Sequence, residues 1–143
     1  MRSRMKVFID TNVFLDYIEE RPLGAKEAIA IFMLAAKEEI ELLVSDLSIA
    51  NIKYSTRKTI PTADFYKTMA TLRELFTIVP IGATGVDKAI SLEARDFEDA
   101  LQYFSAEQAG ADCIVTRNTK DFDFAVIETL EPKDFLDKYF NIA

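Results

Sequence analysis

The sequence predicts an α/β fold, a three-layer α/β/α sandwich around a mostly parallel central sheet, and three observations carry that expectation. Short apolar runs such as "KVFI", "IELLVS" and "CIV" recur along the chain, each the length of a strand covered on both faces. Stretches of helical length and pattern separate them. The order reads βαα-βαα-βαα-β-β-α, the alternation that builds a parallel sheet with crossover helices.

The elements follow in chain order. "KVFI" is the first strand, and a helix is expected from about Asn12 to Glu19, broken near Pro22. "GAKEAIAIFMLAAKEE" is strongly helical, and its middle is apolar nearly all round, as in a deeply buried helix or an interface. "IELLVS" is strand two. Ser45 or Asp46 then caps a helix running to about Lys58. Pro61 and Thr62 open a helix over roughly Ala63 to Leu75, and "FTIVPI" is strand three. Thr84 to Ala94 is helical. "DFEDALQYFSAEQAG" is a helix with Asp96 as N-cap and Gly110 just past its end. "DCIVT" is strand four, "FAVIE" a short last strand, and "PKDFLDKYF" a closing helix with Pro132 in its first turn.

The 143 residues suffice for one domain with a real core and are too few for two, so residues 1–143 are expected to form a single unit. Half are hydrophobic, which excludes disorder, and no apolar run reaches membrane-spanning length. Basic residues lie within 1–6, but Asp10 and Asn12 interrupt any signal-type apolar segment, so a soluble cytoplasmic protein is expected. The one cysteine, Cys113, sits in an apolar run and reads as a buried thiol. A net charge of −7 argues against a broad basic face for nucleic acid. There is no histidine, which removes histidine acid–base chemistry and histidine metal ligands together. Hydrolysis would have to rest on carboxylates holding a hard cation such as Mg²⁺ or Mn²⁺.

Ligands of parallel sheets bind beyond the carboxyl ends of the strands. Asp10 ends strand one at that edge, and Thr116, Arg117, Asn118 and Asp121 follow strand four there. Helices between parallel strands start at the same edge, which adds Asn12, Asn51 and Asp99. Three carboxylates in one crevice, Asp10, Asp99 and Asp121, raise one another's pKa values, and a divalent cation relieves that cost. The implied chemistry is metal-assisted phosphodiester hydrolysis. Taken singly, Asp99, Asp121, Asn12 and Asn118 also suit helix-end or turn positions. Asp10 does not, because a carboxylate ending a buried strand needs partners. Asp46, Asp87, Glu98, Asp123 and Asp137 read as solvated or capping, and Tyr17, Tyr54 and Tyr103 as packing residues. Arg117, with Arg57, Lys58 and Arg95, is a candidate phosphate contact.

"FIDTNVFLDYI", followed at a distance by "DFEDALQYFSAEQAGADCIVTRNTKDF", resembles PIN-domain proteins of the kind found as VapC-type toxins in bacterial toxin–antitoxin pairs. The resemblance covers nearly the whole chain. It implies an acidic crevice that binds Mg²⁺ or Mn²⁺ and cleaves RNA, and a small antitoxin partner. Through it the family's acids map onto Asp10 and Asp99. Asn118 takes the acid-or-amide place after strand four, with Asp121 as the remaining acid, while Thr11, Asn12 and Thr116 match small polar positions that shape the site. One position departs. Where the family usually has a glutamate after strand two, "SIANIKY" carries Asn51, so metal affinity and water activation are expected to fall. A homodimer through Ile29 to Leu34 is a further expectation. The alternative is a PIN-fold RNA- or protein-binding module with little catalysis, favoured by Asn51 and Asn118. A phosphatase or receiver domain fits worse, since Asn12 stands where a second aspartate is needed. A Rossmann domain fits worse still, since no G-x-G-x-x-G exists.

Overall fold

Five strands, β1 (Met5–Ile9), β2 (Ile40–Ser45), β3 (Phe76–Val79), β4 (Cys113–Val115) and β5 (Glu128–Leu130), pair in the order β3-β2-β1-β4-β5. Every pairing is parallel. The computed structural model describes residues 4–142, so the basic residue Arg2 lies outside the described residues. The connections hold α1 (Thr11–Ile18), α2 (Ala25–Ala36), α3 (Asp46–Ser55), α4 (Thr62–Leu72), α5 (Gly82–Leu92) and α6 (Phe97–Gln108), and α7 (Pro132–Phe140) closes the fold. The chain winds outward from β1 to β3 on one side and restarts at β4 on the other. The order therefore reverses between β1 and β4, the place where parallel sheets open a crevice.

Side-chain alternation sorts the strands into two cores. Val7, Ile9, Leu42, Val44, Cys113 and Val115 pack on one face with Phe14 of α1, Ile31 and Phe32 of α2, and Phe135 of α7. Phe8, Leu43 and Ile114 point the other way, onto Tyr103 and Ala106 of α6. Helices thus cover both faces, which explains why the strands are apolar at consecutive positions. The first core is knit by aromatic pairs. The Phe14 ring meets Phe32 edge-on at 5.2 Å and Phe76 at 5.3 Å, and Tyr17 stacks on Phe32 at 4.1 Å. Such pairs contribute about 0.5–1.5 kcal/mol each beyond their buried area. Cys113 is buried, and burial pushes its thiol up to about 12, so it is inert as expected.

The helix ends depart from expectation for local reasons. α3 stops at Ser55 rather than near Lys58: Thr56 is its C-cap, its backbone N–H and hydroxyl both donating to the Ile52 carbonyl (3.0 and 2.8 Å), and the residues after it form a turn. α5 ends at Leu92, where Glu93 turns left-handed at φ 52°. The apolar middle of α2 is mostly core: Ile31, Phe32 and Leu34 are buried, and of its large apolar side chains only Ile29 and Met33 are exposed.

The last strand is not "FAVIE". β5 begins at Glu128 and pairs Thr129 with Ile114 and Leu130 with Val115. Phe124, Ala125 and Ile127 instead pack as a loop onto the second core. Their apolar character serves burial without strand geometry, so the pattern alone misplaced the strand.

One close approach locks α1 to the start of α2. A Cβ on Gly24 would lie 2.1 Å from the Asp16 carboxylate, which is buried. Gly24→Ala must displace that buried acid and should destabilise the protein by roughly 1–3 kcal/mol, read as a lower urea midpoint at unchanged m-value.

Candidate functional site

The end of β1 sets the site. Asp10 leaves the strand with extended backbone (φ −70°, ψ 157°) and becomes the N-cap of α1, its Oδ1 accepting from the Thr11 amide at 2.7 Å. The Thr116 hydroxyl, just past β4, donates to Asp10 Oδ2 at 2.9 Å and accepts from the Asn118 amide at 3.1 Å. A carboxylate that is only 7% exposed is thus held at both oxygens. Burial raises its pKa above the usual aspartate value, and Thr116 and Thr11 oppose that rise.

Beneath the crevice lies a buried polar network. Gln102 on α6 donates to Ser48 Oγ (2.8 Å) and Thr11 Oγ1 (3.1 Å), and its Oε1 accepts from the Ser45 hydroxyl. Thr11 Oγ1 and Ser48 Oγ lie 2.7 Å apart, and Ser45 Oγ caps α3 by accepting from the Ser48 amide at 3.1 Å. One glutamine side chain therefore fixes α6 against the starts of α1 and α3. Gln102 follows Asp99 by three residues, so the two share a helix face. That spacing was the signal available in the sequence, and Gln102 was missed.

Asp10, Thr11, Asn12, Asn51, Asp96, Glu98, Asp99, Gln102, Asn118 and Asp121 line one crevice of about 400 Å³ at the carboxyl edge of the sheet. Every acid proposed from the sequence faces it, as do Asn12, Asn51 and Asn118. Thr116 stands behind Asp10 as its donor. Two acids were not anticipated there. Asp96 is spent on capping α6, its Oδ1 accepting from the Asp99 amide at 2.9 Å. Glu98, expected to be solvated, accepts from the Asn51 amide across the crevice. Tyr17 and Tyr103 do pack, but Tyr54 is 66% exposed on the crevice rim.

Arg117 is placed differently from expectation. Its Nε lies 3.0 Å from Oδ2 of the buried Asp16, with Arg21 at 3.8 Å from the other oxygen. Arg117 also borders a separate groove beside α7 rather than the acidic crevice. It holds the turn after β4 against α1, a job that uses the charge expected to meet phosphate. Burial raises the Asp16 pKa, while Arg117 and Arg21 pull it down.

Asp99 is strongly perturbed as well. Burial, then Asp96, Asp10, Asp121 and Glu98 together, push its pKa up to about 7. Asp10 in turn feels Glu98 and Asp121. Among the described residues no three Asp, Glu or Cys side chains are drawn close enough to hold an ion by themselves. The donor set instead fits a hard cation that takes one or two carboxylates and keeps several waters. The negative charge that Asp99 meets from Asp10, Asp121 and Glu98, and Asp10 from Glu98 and Asp121, is what such an ion would neutralise.

Residues 6–120 match the PIN domain family model. The chain belongs to the PIN-domain family. It is 30% identical over 142 residues to Ribonuclease VapC1 of Aquifex aeolicus (strain VF5), covering 94% of this chain and 95% of that protein. Two solved structures share the fold. VapBC2 from Rickettsia felis, bound to a DNA fragment from its promoter, matches with TM-score 0.66 at 18% identity over 89% of this chain and 98% of that one. A toxin–antitoxin complex from Klebsiella pneumoniae matches with TM-score 0.64 at 22% identity, covering 88% and 97%. This PIN domain is therefore an α/β/α sandwich with a wholly parallel sheet, and no described helix is long and apolar enough to cross a membrane.

The Asp99 shift has a measurable consequence for the metal-free protein. An aspartate with a raised folded pKa keeps its proton while the unfolded chain releases it. Its contribution to stability is therefore present below the unfolded value of 3.8 and declines as pH rises to about 7. Replacing it by the uncharged isostere removes this loss. In EDTA, Asp99→Asn should gain stability relative to wild type as pH rises from 4 to 8; a difference that stays flat across that range would contradict the shift.

Proposed function

We propose that this PIN domain is a divalent-cation-dependent endoribonuclease, the toxin of a toxin–antitoxin pair. The observation that carries the reading is the pair Asp10 and Asp99, both partly or wholly buried and both raised in pKa, facing one open crevice. Structural carboxylates of a core are normally neutralised by a base; these face other acids. The 30% identity to a protein named a ribonuclease supports the substrate class.

Asp10 and Asp99 would hold Mg²⁺ or Mn²⁺, with waters and a substrate phosphate completing the shell. When bound, the cation supplies a water of lowered pKa and positive charge for the phosphoryl oxygens. The residues of the chain do the rest. Thr116 and the Thr11 amide keep both Asp10 oxygens in a fixed orientation. Asn12 and Asn118 offer uncharged amide donors to a phosphodiester along the crevice. In hydrolysis the oxygen of water bonds to phosphorus as the P–O ester bond breaks. A crevice carboxylate takes the water proton, and the departing oxygen takes one from solvent.

Tyr54 supports a single-stranded substrate. Its ring lies on the rim, backed by the Arg57 guanidinium 3.8 Å from the ring centre. An exposed ring beside a phosphodiester site is a stacking platform for a base, a contact that contributes about 1–3 kcal/mol. A small antitoxin that covers the crevice and presents a basic side chain to the acids belongs to the same reading, supported by the toxin–antitoxin complex that shares the fold. A homodimer through Ile29 and Met33 of α2 is the least supported part, since the rest of that apolar run is core.

Asn51 favours a second reading, a PIN-fold binding module without catalysis, because an amide stands where the resemblance places an acid. Cleavage of single-stranded RNA with Mn²⁺ or Mg²⁺ separates the two. Wild type should cleave, Asp10→Asn should lose at least about a hundredfold in kcat/KM, and EDTA should abolish the activity. Equal rates for wild type and Asp10→Asn would show that the crevice is not catalytic, and RNA left intact by wild type would favour the binding module. Tyr54→Ala should raise KM roughly tenfold with kcat little changed.

A further inference from the structure

We infer that Glu98, steered by Asn51, is a carboxylate of the cation-binding set, supplied from α6 to the wall of the crevice where α3 carries only an amide. The inference rests on the cation-dependent reading above and deepens it.

Glu98 and Asn51 come from different helices, 47 residues apart, and meet directly: Asn51 Nδ2 donates to Glu98 Oε1. Both line the crevice with Asp10 and Asp99. An unrestrained surface glutamate keeps its rotamer freedom, so a specific partner that turns it inward needs a reason. Helix capping does not supply one, because Asp96 already caps α6.

The chemistry of the partner is informative. Lysine or arginine at position 51 would also orient Glu98, but would cancel its charge. An amide donor orients a carboxylate and leaves the charge in place. It also occupies one oxygen only, and Oε2 keeps its lone pairs for another ligand. That carboxylate opens onto the same crevice as Asp10, Asp99 and Asp121. The uncharged residue at position 51 is then the second half of a clamp, with the acid carried by its neighbour.

The test is a titration of the metal-free protein with Mn²⁺, following free ion by electron paramagnetic resonance, with the urea midpoint of each variant as a check on folding. Glu74→Gln is the control for loss of one negative charge, since Glu74 borders a groove at the amino ends of β2 and β3, opposite the crevice. Glu98→Gln should weaken Mn²⁺ binding roughly tenfold or more, Asn51→Ala severalfold, and Glu74→Gln not at all. Wild-type affinity in Glu98→Gln overturns the assignment while leaving the cation-dependent reading intact. Wild-type affinity in Asn51→Ala overturns the clamp. A wild-type protein that binds no Mn²⁺ overturns both this inference and the reading beneath it.

Discussion

The structure depends on how a charged group is tolerated at the end of a buried strand. Asp10 follows three fully buried residues, Val7, Phe8 and Ile9, in the central strand of the sheet. A carboxylate there survives only with its oxygens satisfied, and the satisfying donors come from the next helix and the neighbouring strand. Thr11 starts α1 by donating to it. Thr116 leaves β4 by donating to it. The same two hydrogen bonds that let the fold contain Asp10 also orient it toward the crevice, so the fold and the candidate site share one constraint.

The constraint propagates through the buried polar network. Once Thr11 is fixed by Asp10, its hydroxyl meets Ser48, and Gln102 bridges both. This brings the first turn of α6, with Glu98 and Asp99, against the first two turns of α3, with Asn51 in the second. A network of this kind is costly if any member is lost and specific when complete. The topology makes the gap it frames: the strand order reverses between β1 and β4, so no helix crosses above their carboxyl ends. Arg117 completes the frame from outside, tying the turn after β4 to the buried Asp16 of α1.

Much of this was legible because it depends on period and direction. Apolar runs locate β1 to β4, parallel strands share a carboxyl edge, and that alone collects Asp10, Asp99, Asp121, Asn12, Asn51 and Asn118 around one crevice. The illegible parts depend on partners distant in sequence. Three residues are too few to show a period, so β5 was placed on the apolar loop that precedes it. Arg117 could be seen to follow β4, but only the packing of α1 reveals that Asp16 claims it. Glu98 looked like any first-turn acid, since its distinguishing contact, Asn51, lies on another helix. Tyr54 looked like a packing residue because exposure is a property of the whole surface.

Net charge sharpens the functional argument. The protein carries −7, and its crevice gathers acids whose ionisation is already resisted by their neighbours. Among the described residues no lysine or arginine lines that crevice, and two of its neighbours in sequence are engaged elsewhere: Arg117 with Asp16, and Arg57 with the Tyr54 ring and carbonyl. On the proposed reading, the attraction for phosphate must then come from the bound cation rather than from arginine or lysine. Binding and catalysis would share one switch, and metal would be needed for RNA to dwell in the crevice as well as for cleavage. A basic side chain from a partner protein would meet the same acids in the same place. Such a partner would inhibit by supplying, in a form that cannot hydrolyse RNA, the positive charge that the site lacks.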